Sequence, residues 1–468
     1  MRETKRVILL EFNELTPSLM RRFMDEGHLP NFTKFYDQAE VFTTDAEEAP
    51  GTGPLNPWVQ WVSVHSGLTT DEHGILRLSD GHKLKKHRIW DVVSQADLKI
   101  WICGSMNAFF NGEPNGFILP DPWSENVAPY PEKVFEAYDH FVRTQVQEHT
   151  NRKVPLSRGD YWRFLKFMMT HGLSVPTVTS VMKQLVGEKM AGFPKWRRAT
   201  LMDRFQFDVF RYFWRKHKPH LSTFFLNSTA HFQHQFWRDM DPEPFQAKAG
   251  ALENRAKKDA ILFGYRQMDE LAGRFLKLVG DHTALVFATG LSQQPCLKFE
   301  TTGGKRFYRP FDFKKLFNAL GMQDHYKVVP VMSEEFHLYF DSEPDAEKAL
   351  ALLKNQQVNG EAVFTMKQTG KELFGGCRIH HDLPKDARLR AEGYNQDLPF
   401  FEYFYQAEAV KSGMHHPDGM LWIRQPYGHH REHTGKVGLT RVAPTILDLL
   451  RLGKPPHMKG KSLLSGES

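Results

Sequence analysis

The sequence predicts an α/β/α sandwich, in which a mostly parallel sheet lies between two layers of helices. Short apolar runs rich in branched residues are typical of strands buried on both faces, and amphipathic helical patterns alternate with them. The chain has 468 residues, of which 41% are hydrophobic and 25% are charged. These values are typical of a globular protein that is large enough to bury a sizeable core.

The first predicted strand is "RVILLEF" at Arg6–Phe12, a buried apolar run. A helix follows it, with Pro17 at its start and Gly27 at its end. The same pattern predicts four more strands, at 98–106, 221–228, 283–290 and 419–424. A long amphipathic helix at 253–279 leads into the fourth strand, and a last helix ends at Gly453.

Two segments interrupt the alternation of strands and helices. One is aromatic-rich and helical in pattern, as in "DYWRFLKFMMTHGL", and the other mixes short strands with a helix, as in "EEFHLYFDS" and "DAEKALALLKNQ". We therefore predict a helical insertion at 130–215 and a small α+β cap at 301–405. The α/β core then consists of residues 1–129, 216–300 and 406–468.

Composition excludes several classes of protein. The net charge of +6 is a mild excess for this length, and no nucleic-acid-binding signature is present. Cys103, Cys296 and Cys377 are too few and too far apart for a disulfide framework, which favours a reducing compartment. No apolar run is long enough to span a membrane or to form the core of a signal peptide, so we expect a cytoplasmic protein without a membrane span.

The segment "LNSTAHFQHQFWRDMDP" at 226–242 carries His231 and His234 directly after an apolar run. Imidazoles at this spacing bind a metal when the segment is helical, because residues three apart then share a face. The alternative is a cluster of polar side chains within the core. Basic clusters at 83–88 and 216–220 are either sites for phosphates and anionic glycans or ordinary solvated surface.

Six blocks of the sequence, in order, resemble the alkaline phosphatase superfamily in its type I phosphodiesterase/nucleotide pyrophosphatase branch. They are "VILLEFNELTPSLMRRFMDEGHLPNFTKF", "WVSVHSGLTTDEHGI", "IWDVVSQADLKIWICGSMNAFFNGEPNGFILPDPW", "LNSTAHFQHQFWRDMDP", "SGMHHPDGML" and "VAPTILDLLRLGKPPHMKGKSLL". The resemblance implies a sandwich of alkaline-phosphatase type. It also implies phosphoester chemistry at two metal ions, usually zinc, with a Thr or Ser nucleophile between them.

Most of the residues that this chemistry requires are replaced here. The position of the first-strand Asp holds Asn13, and the position of the nucleophile holds Pro57, or Asn56 after a shift of one residue. The later Asp and His pair becomes Ala230 and His234. At 289–292, where the family motif supplies two metal ligands, the sequence reads "TGLS" and neither ligand is present. The last family motif keeps its histidine, as His415.

The resemblance leaves His234 and His415 as the candidate ligands of one divalent metal, most plausibly zinc, with no other cofactor expected. His231 or Asn227 would complete the ligand set. We expect these side chains to meet at the carboxyl ends of the parallel strands. The alternative is that no metal binds and the cluster is a polar remnant.

Other residues near the expected pocket are candidates for catalysis or for ligand binding. His65 and Asn56 are the candidate catalytic residues, because histidine is a common general base and Asn56 occupies the nucleophile position. Amide, indole and guanidinium groups favour a ligand that carries hydroxyl and anionic groups. The candidate ligand-binding residues are Asn13, Trp58, Gln60, Asn227, His231, Gln293 and Arg431. Two of them, Asn227 and His231, lie on the segment at 226–242.

Two functions remain open at this stage. The first is a divergent phosphodiesterase-like protein with a degenerate metal site, which binds a phosphorylated, sulfated or glycan ligand with little or no hydrolysis. The second is an active hydrolase or transferase of phosphate or sulfate esters that uses one metal or a metal-free pocket of His and Asn. The lost ligands favour the first function, and the retained polar pocket favours the second.

Overall fold

A computed structural model provides the structure of the chain. It describes residues 6–47, 55–124, 127–150, 156–246, 257–280, 282–298, 300–302, 304–322, 325–330, 334–391, 397–407, 410–426 and 428–464.

The centre of the molecule is an eight-stranded sheet with the strand order β20-β2-β19-β6-β1-β5-β3-β4. Its strands are β1 (Arg6–Phe12), β2 (Glu40–Asp45), β3 (Ile100–Cys103), β4 (Gly116–Leu119), β5 (Leu221–Leu226), β6 (Thr283–Ala288), β19 (Asp418–Arg424) and β20 (Arg431–Gly438). β19 pairs antiparallel with both β2 and β6, and the other neighbours pair parallel. The prediction of a mostly parallel sheet is therefore confirmed, and one reversed strand interrupts it.

Helices cover both faces of this sheet. The helices before β6 are α1 (Pro17–Asp25), α2 (Pro30–Tyr36), α3 (Pro57–Ser66), α4 (Thr70–His73), α5 (Ile89–Gln95), α6 (Glu132–Thr150), α7 (Arg158–Thr170), α8 (Val175–Met190), α9 (Ala199–His217), α10 (Ser228–Met240) and α11 (Ala260–Leu278). The later ones are α12 (Phe313–Ala319), α13 (Glu343–Lys354), α14 (Phe400–Tyr403) and α15 (Val442–Leu449).

Two hydrophobic cores lie on opposite faces of β1, because successive side chains of a strand point to opposite sides. Ile8 and Leu10 belong to the core that α1, α2, α9, α10 and α11 cover. Val7 and Leu9 belong to the core that α3, α5 and α15 cover. This arrangement confirms the predicted three-layer sandwich and leaves the strand ends free to carry polar side chains.

A third core lies in the region predicted as a cap. The short strands of this region are β8 (Tyr308–Pro310), β9 (Tyr326–Pro330), β10 (Glu335–Phe340), β11 (Gln356–Val358), β12 (Glu361–Ala362), β13 (Phe364–Thr369), β14 (Glu372–Cys377), β15 (Arg388–Ala391), β16 (Asp397–Pro399) and β17 (Phe404–Gln406). Two further short strands, β7 (Ser292–Pro295) and β18 (Gly413–His416), flank it in the chain and pair with each other. Phe336, Leu338 and Leu373 are among the buried residues of this core. The division of the chain into domains at 129, 215, 300 and 405 stays a prediction.

None of the helices in the described part of the chain is both long enough and apolar enough to cross a bilayer.

Candidate metal centre

The candidate site begins where β1 ends. The backbone N–H of Asn13 donates to the carbonyl of Leu226 at 3.0 Å, and that of Glu14 donates to the carbonyl of Thr289 at 3.1 Å. These bonds fix the segment after β1 against the ends of β5 and β6. Glu14 has a φ of 61°, in the left-handed region that non-glycine residues seldom occupy. The chain therefore turns at Glu14, and its carboxylate does not follow the alternation of the strand.

Three ligating side chains meet at this point. The Nε2 atom of His234 lies 3.0 Å from Oε2 of Glu14, and Nε2 of His415 lies 3.4 Å from the same oxygen. One ligating atom from each of the three residues lies within 4.8 Å of the other two. The Glu14 side chain is 2% exposed, whereas those of His234 and His415 are 21% and 17% exposed. The carboxylate thus forms the floor of the site and the imidazoles border solvent.

His234 is held in one orientation by its other ring nitrogen. It lies on α10, the helix that follows β5, and its Nδ1 donates to the carbonyl of Gly413 at 3.0 Å. Because a carbonyl only accepts hydrogen bonds, Nδ1 carries the proton and Nε2 keeps its lone pair in the neutral ring. That lone pair faces Glu14, as a metal ligand requires.

His415 reaches the site on β18, which pairs antiparallel with β7 and places His415 opposite Gln293. The start of β18 lies very close to α10. A Cβ atom on Gly413 would lie 2.4 Å from the carbonyl oxygen of Gln233 and 2.5 Å from Oε1 of Gln293. Position 413 therefore needs a glycine, and this close approach lets its carbonyl reach His234.

Two amide side chains hold the carboxylate of Glu14. Nε2 of Gln293 donates to Oε2 at 2.6 Å and also to the carbonyl of Ala230 at 2.9 Å. Nδ2 of Asn13 donates to Oε1 at 2.7 Å and to Oδ1 of Asn227 at 2.8 Å. Asn13 is held in turn by Trp61, whose Nε1 donates to Oδ1 of Asn13 at 2.7 Å. The carboxylate is therefore fixed before any ligand arrives.

The electrostatics of the site favour an ionised carboxylate at Glu14. Burial acts to raise the pKa of Glu14, but His415 and His234 outweigh burial and hold that pKa well below its ordinary value. Burial lowers the pKa of His415, and Glu14 opposes that effect only in part. An ionised carboxylate and neutral imidazole are the protonation states that bind metals.

The geometry and chemistry of this donor set fit one divalent metal. Ligands about 2.0–2.1 Å from a tetrahedral zinc lie roughly 3.3 Å apart. The distances from Glu14 Oε2 to the two Nε2 atoms, 3.0 and 3.4 Å, bracket that value. Within the described ranges, Glu14, His234 and His415 form the one group of three ligating side chains close enough to share an ion. A second metal of the kind that the resemblance implies has no comparable donor set there.

The third member of the candidate site, Glu14, is not one that the sequence predicted. Asn227 precedes α10 and accepts a hydrogen bond from Asn13, while Nε2 of His231 lies 2.8 Å from Nε2 of Gln235. His231 is not in the cluster of Glu14, His234 and His415, and a ligand role for Asn227 stays a prediction. The family motif aligns its acidic ligand with Asn13, so it does not identify Glu14. The signal in the sequence is an acidic residue two positions after the end of a buried strand.

His65 does not face the site. It is fully buried on α3, and its Nε2 donates to Oε1 of Glu11 at 2.7 Å. The ring is enclosed in the core, so the structure gives a catalytic role for His65 no support, and that role stays a prediction.

Arg431 lies at the other edge of the sheet. It opens β20 and pairs with Glu40 at the start of β2, whereas the candidate metal ligands lie where the parallel strands end. A role for Arg431 in binding the ligand stays a prediction.

The remaining candidates lie on or beside the helix that follows the nucleophile position. Asn56 precedes α3, and Pro57 is its first residue. Nε1 of Trp58 donates to the carbonyl of Leu76 at 3.2 Å, so this indole is tied to a neighbouring loop. Gln60 is buried, and its Nε2 atom has no hydrogen-bond partner. Gln60 is therefore the residue of this group whose side-chain N–H donors make no hydrogen bond.

No protein-family model and no curated protein matches the chain. Among solved structures, the chain is similar to human ectonucleotide pyrophosphatase/phosphodiesterase 5, with 11% identity, a TM-score of 0.38 and coverage of 98% of this chain and 97% of that one. It is also similar to phosphonoacetate hydrolase from Sinorhizobium meliloti, with 11% identity, a TM-score of 0.41 and coverage of 96% and 95%. A mutant of the alkaline phosphatase PafA matches with 13% identity, a TM-score of 0.42 and coverage of 99% of both chains. These values describe a likeness of fold, and they are too low to carry any residue of those proteins over to this chain.

Proposed function

We propose that the protein is a divergent member of the alkaline phosphatase superfamily that binds one divalent metal, most plausibly zinc, through Glu14, His234 and His415. With this metal it holds a small-molecule or glycan ligand that carries phosphate or sulfate. Hydrolysis is slow or absent. The observation that carries the proposal is the convergence of one buried carboxylate and two oriented imidazoles where the parallel strands end.

A divalent cation bound there would neutralise the oxygens of a phosphate or sulfate group. The residues around it are suited to the rest of such a ligand. Gln293 and Asn13 keep the carboxylate in place, and both are amide side chains that can also bind hydroxyl or carbonyl groups. Amides recognise neutral polar groups well and bind metals weakly, which supports one metal rather than two.

The positions that the resemblance assigns to the nucleophile support weak or absent hydrolysis. Asn56 has an amide and Pro57 has no polar side chain, so neither can form a covalent intermediate with a phosphoryl group. His65, the other candidate for catalysis, is enclosed in the core.

A second candidate function is hydrolysis that depends on one metal. Two His and one Glu form the protein ligand set of several catalytic zinc sites, in which the fourth position stays open. The partial exposure of His234 and His415 supports this alternative, because a substrate can approach the site from their side.

Metal binding by chelated and reloaded protein tests the first part of the proposal. We expect one zinc per chain by elemental analysis. In Glu14→Gln, loss of the ligand charge should weaken zinc binding by roughly 100-fold or more in calorimetry. His234→Ala and His415→Ala should have similar effects, and His429→Ala, which changes an exposed histidine, should leave the affinity unchanged. Two zinc ions per chain, or binding that survives Glu14→Gln, would contradict the site.

Turnover separates the two functions. The zinc-loaded protein is assayed with nitrophenyl phosphate, bis(nitrophenyl) phosphate and nitrophenyl sulfate, and its melting temperature is measured with inorganic phosphate and sulfate. The binding function predicts anion-dependent stabilisation that requires zinc, without turnover. Zinc-dependent turnover that disappears in both His→Ala variants would establish the hydrolase instead.

A further inference from the structure

Helix α8 has its apolar side chains on the outside. It buries Thr177, Gln184 and Gly187, all small or polar, against the rest of the protein. Its exposed residues include Val175 at 78% exposure and Met190 at 83%. A surface helix of a globular protein normally shows the opposite pattern.

Helix α7 extends the same kind of surface. We define the apolar face as the exposed large hydrophobic residues of α7 and α8. They are Tyr161, Trp162, Leu165, Met169, Val175, Val178, Met182, Leu185, Val186 and Met190. Elsewhere in the described chain the large exposed hydrophobic residues are Leu76, Leu297 and Tyr339. So dense a set of apolar side chains on one insertion marks an interaction site.

The inward side of α8 is fixed by specific contacts. Nε2 of Gln184 donates to the carbonyl of Pro194 at 3.0 Å and to Oε1 of Glu188 at 2.9 Å. A Cβ atom on Gly187 would lie 2.2 Å from the ring of Phe193, so the helix packs directly on that side chain. Rotating α8 to bury its apolar side would break these contacts. These contacts therefore fix the orientation of α8 in which its apolar side chains point outward.

The charges of the segment that carries the apolar face are almost all positive. Residues 157–198 contain eight Lys and Arg residues and two acidic residues, so this segment alone carries a net charge of +6, as large as that of the whole chain. Asp160 is paired with Arg163, and Glu188 is paired with Arg198. Lys166, Lys183 and Lys189 are exposed on α7 and α8.

We propose that the apolar face docks on the surface of an anionic phospholipid bilayer. Apolar side chains enter the boundary between headgroups and acyl chains, and the lysine ammonium groups contact anionic headgroups. Trp162 and Tyr161 are the residue types that favour that boundary. A second copy of this chain is a poorer occupant, because two faces with the same positive charge repel each other. This inference does not depend on the metal centre.

Vesicle flotation with the full chain tests the proposal. We expect binding to vesicles in which roughly one third of the phosphatidylcholine is replaced by phosphatidylglycerol, much weaker binding to pure phosphatidylcholine, and release at high salt. Equal binding to both vesicle types, or no binding to either, would overturn the proposal.

Two pairs of variants distinguish this face from the rest of the surface. Lys183→Gln with Lys189→Gln should weaken binding about 25-fold, since each lysine contributes about five-fold near an anionic surface. Lys327→Gln with Lys367→Gln, which changes two exposed lysines of the α+β region, should have no effect. Met182→Ser with Leu185→Ser and Met190→Ser should weaken binding by more than roughly ten-fold. The matched control for this triple variant combines Leu76→Ser, Leu297→Ser and Tyr339→Ser.

The melting temperature and the molecular mass are measured for every variant. Because the changed side chains are exposed, we expect folding to be retained. A loss of binding that tracks a fall in melting temperature, or equal losses in the matched controls, would remove the support for this face. A stable dimer that dissociates in the Met182, Leu185 and Met190 variant would assign the face to a second copy and overturn the membrane assignment.

Discussion

Glu14 shows how one backbone angle moves a functional group to a new sequence position. Asn13 and Glu14 are adjacent, yet the left-handed turn at Glu14 points its carboxylate at His234 and His415, while Asn13 contacts the indole of Trp61. Register counting along a strand cannot anticipate this, because it assumes that extended geometry continues past the last paired residue. The two histidines could be predicted from their motifs, whereas the direction of the Glu14 carboxylate could not.

Asp203 is a second residue whose behaviour depends on burial. It lies on α9, and it accepts a hydrogen bond from the hydroxyl of Ser228, the first residue of α10. Burial raises the pKa of Asp203 to about 7, although Ser228 and Arg204 act in the opposite direction. The folded protein therefore keeps a proton on this carboxyl at pH values where the unfolded chain has lost it.

Linkage sets the sign of the resulting pH dependence. Between about pH 4 and pH 7 the folded state binds more protons at Asp203 than the unfolded state, so this group lowers the free energy of unfolding as pH rises. Asparagine does not titrate, so in Asp203→Asn this decrease in the free energy of unfolding is absent. We expect the variant to gain stability over the natural chain across this range, by about 1–4 kcal/mol at pH 7. Urea unfolding at a series of pH values measures the gain.

The control is Asp37→Asn, which changes an exposed carboxyl group. A constant difference between Asp203→Asn and the natural chain from pH 4 to 7 would show that Asp203 titrates normally in the folded state.

At the scale of elements, the contact between β1 and α3 depends on a buried polar pair. Glu11 and His65 are both fully buried and are joined at 2.7 Å. His65→Ala should cost about 3–5 kcal/mol of unfolding free energy, because it leaves the carboxylate of Glu11 without its partner in the core. The double change Glu11→Leu with His65→Leu should cost less than His65→Ala alone. Urea unfolding of both variants measures these costs.

Zinc affinity separates this structural role from a role in the site. We expect His65→Ala to bind zinc as the natural chain does wherever it is folded. Unchanged stability together with a large loss of zinc binding or of turnover would instead support a role for His65 in the functional site.

The strands differ in how well the sequence predicts them. Arg6–Phe12 was predicted at its observed bounds, because a branched apolar run is compatible with little except a buried strand. β7, with the sequence SQQP, has no apolar pattern and becomes a strand only by pairing with β18. The site depends on this pair, and it connects positions more than a hundred residues apart. The position of Arg431 could not be predicted for a related reason, because the direction of β20 follows from its pairing with β2.

The whole molecule combines the sheet with a region that has its own hydrophobic core. Phe336 of β10 is fully buried there, and its ring centroid lies 4.9 Å from that of Phe313. Phe336→Ala should cost about 3–5 kcal/mol by leaving a cavity. We expect hydrogen exchange to accelerate in the strands between 308 and 406, while the Kd for zinc changes by less than about two-fold.

Phe287→Ala is the matched change in the central sheet, where Phe287 packs against Phe12 with ring centroids 5.8 Å apart. In this variant the loss of protection against hydrogen exchange should reach β1 and β6, whose ends carry the candidate metal centre. Equal loss of protection across the whole chain in both variants would show that the cores unfold as one unit.

The concentration of positive charge in residues 157–198 has a consequence for orientation. Since the remainder of the chain is close to neutral in sum, the excess positive charge of the whole chain lies in this segment. Near a negatively charged surface, within about one Debye length of about 8 Å at physiological ionic strength, the electric field exerts a torque on the protein. The molecule therefore rotates before it touches, and it arrives with α7 and α8 leading.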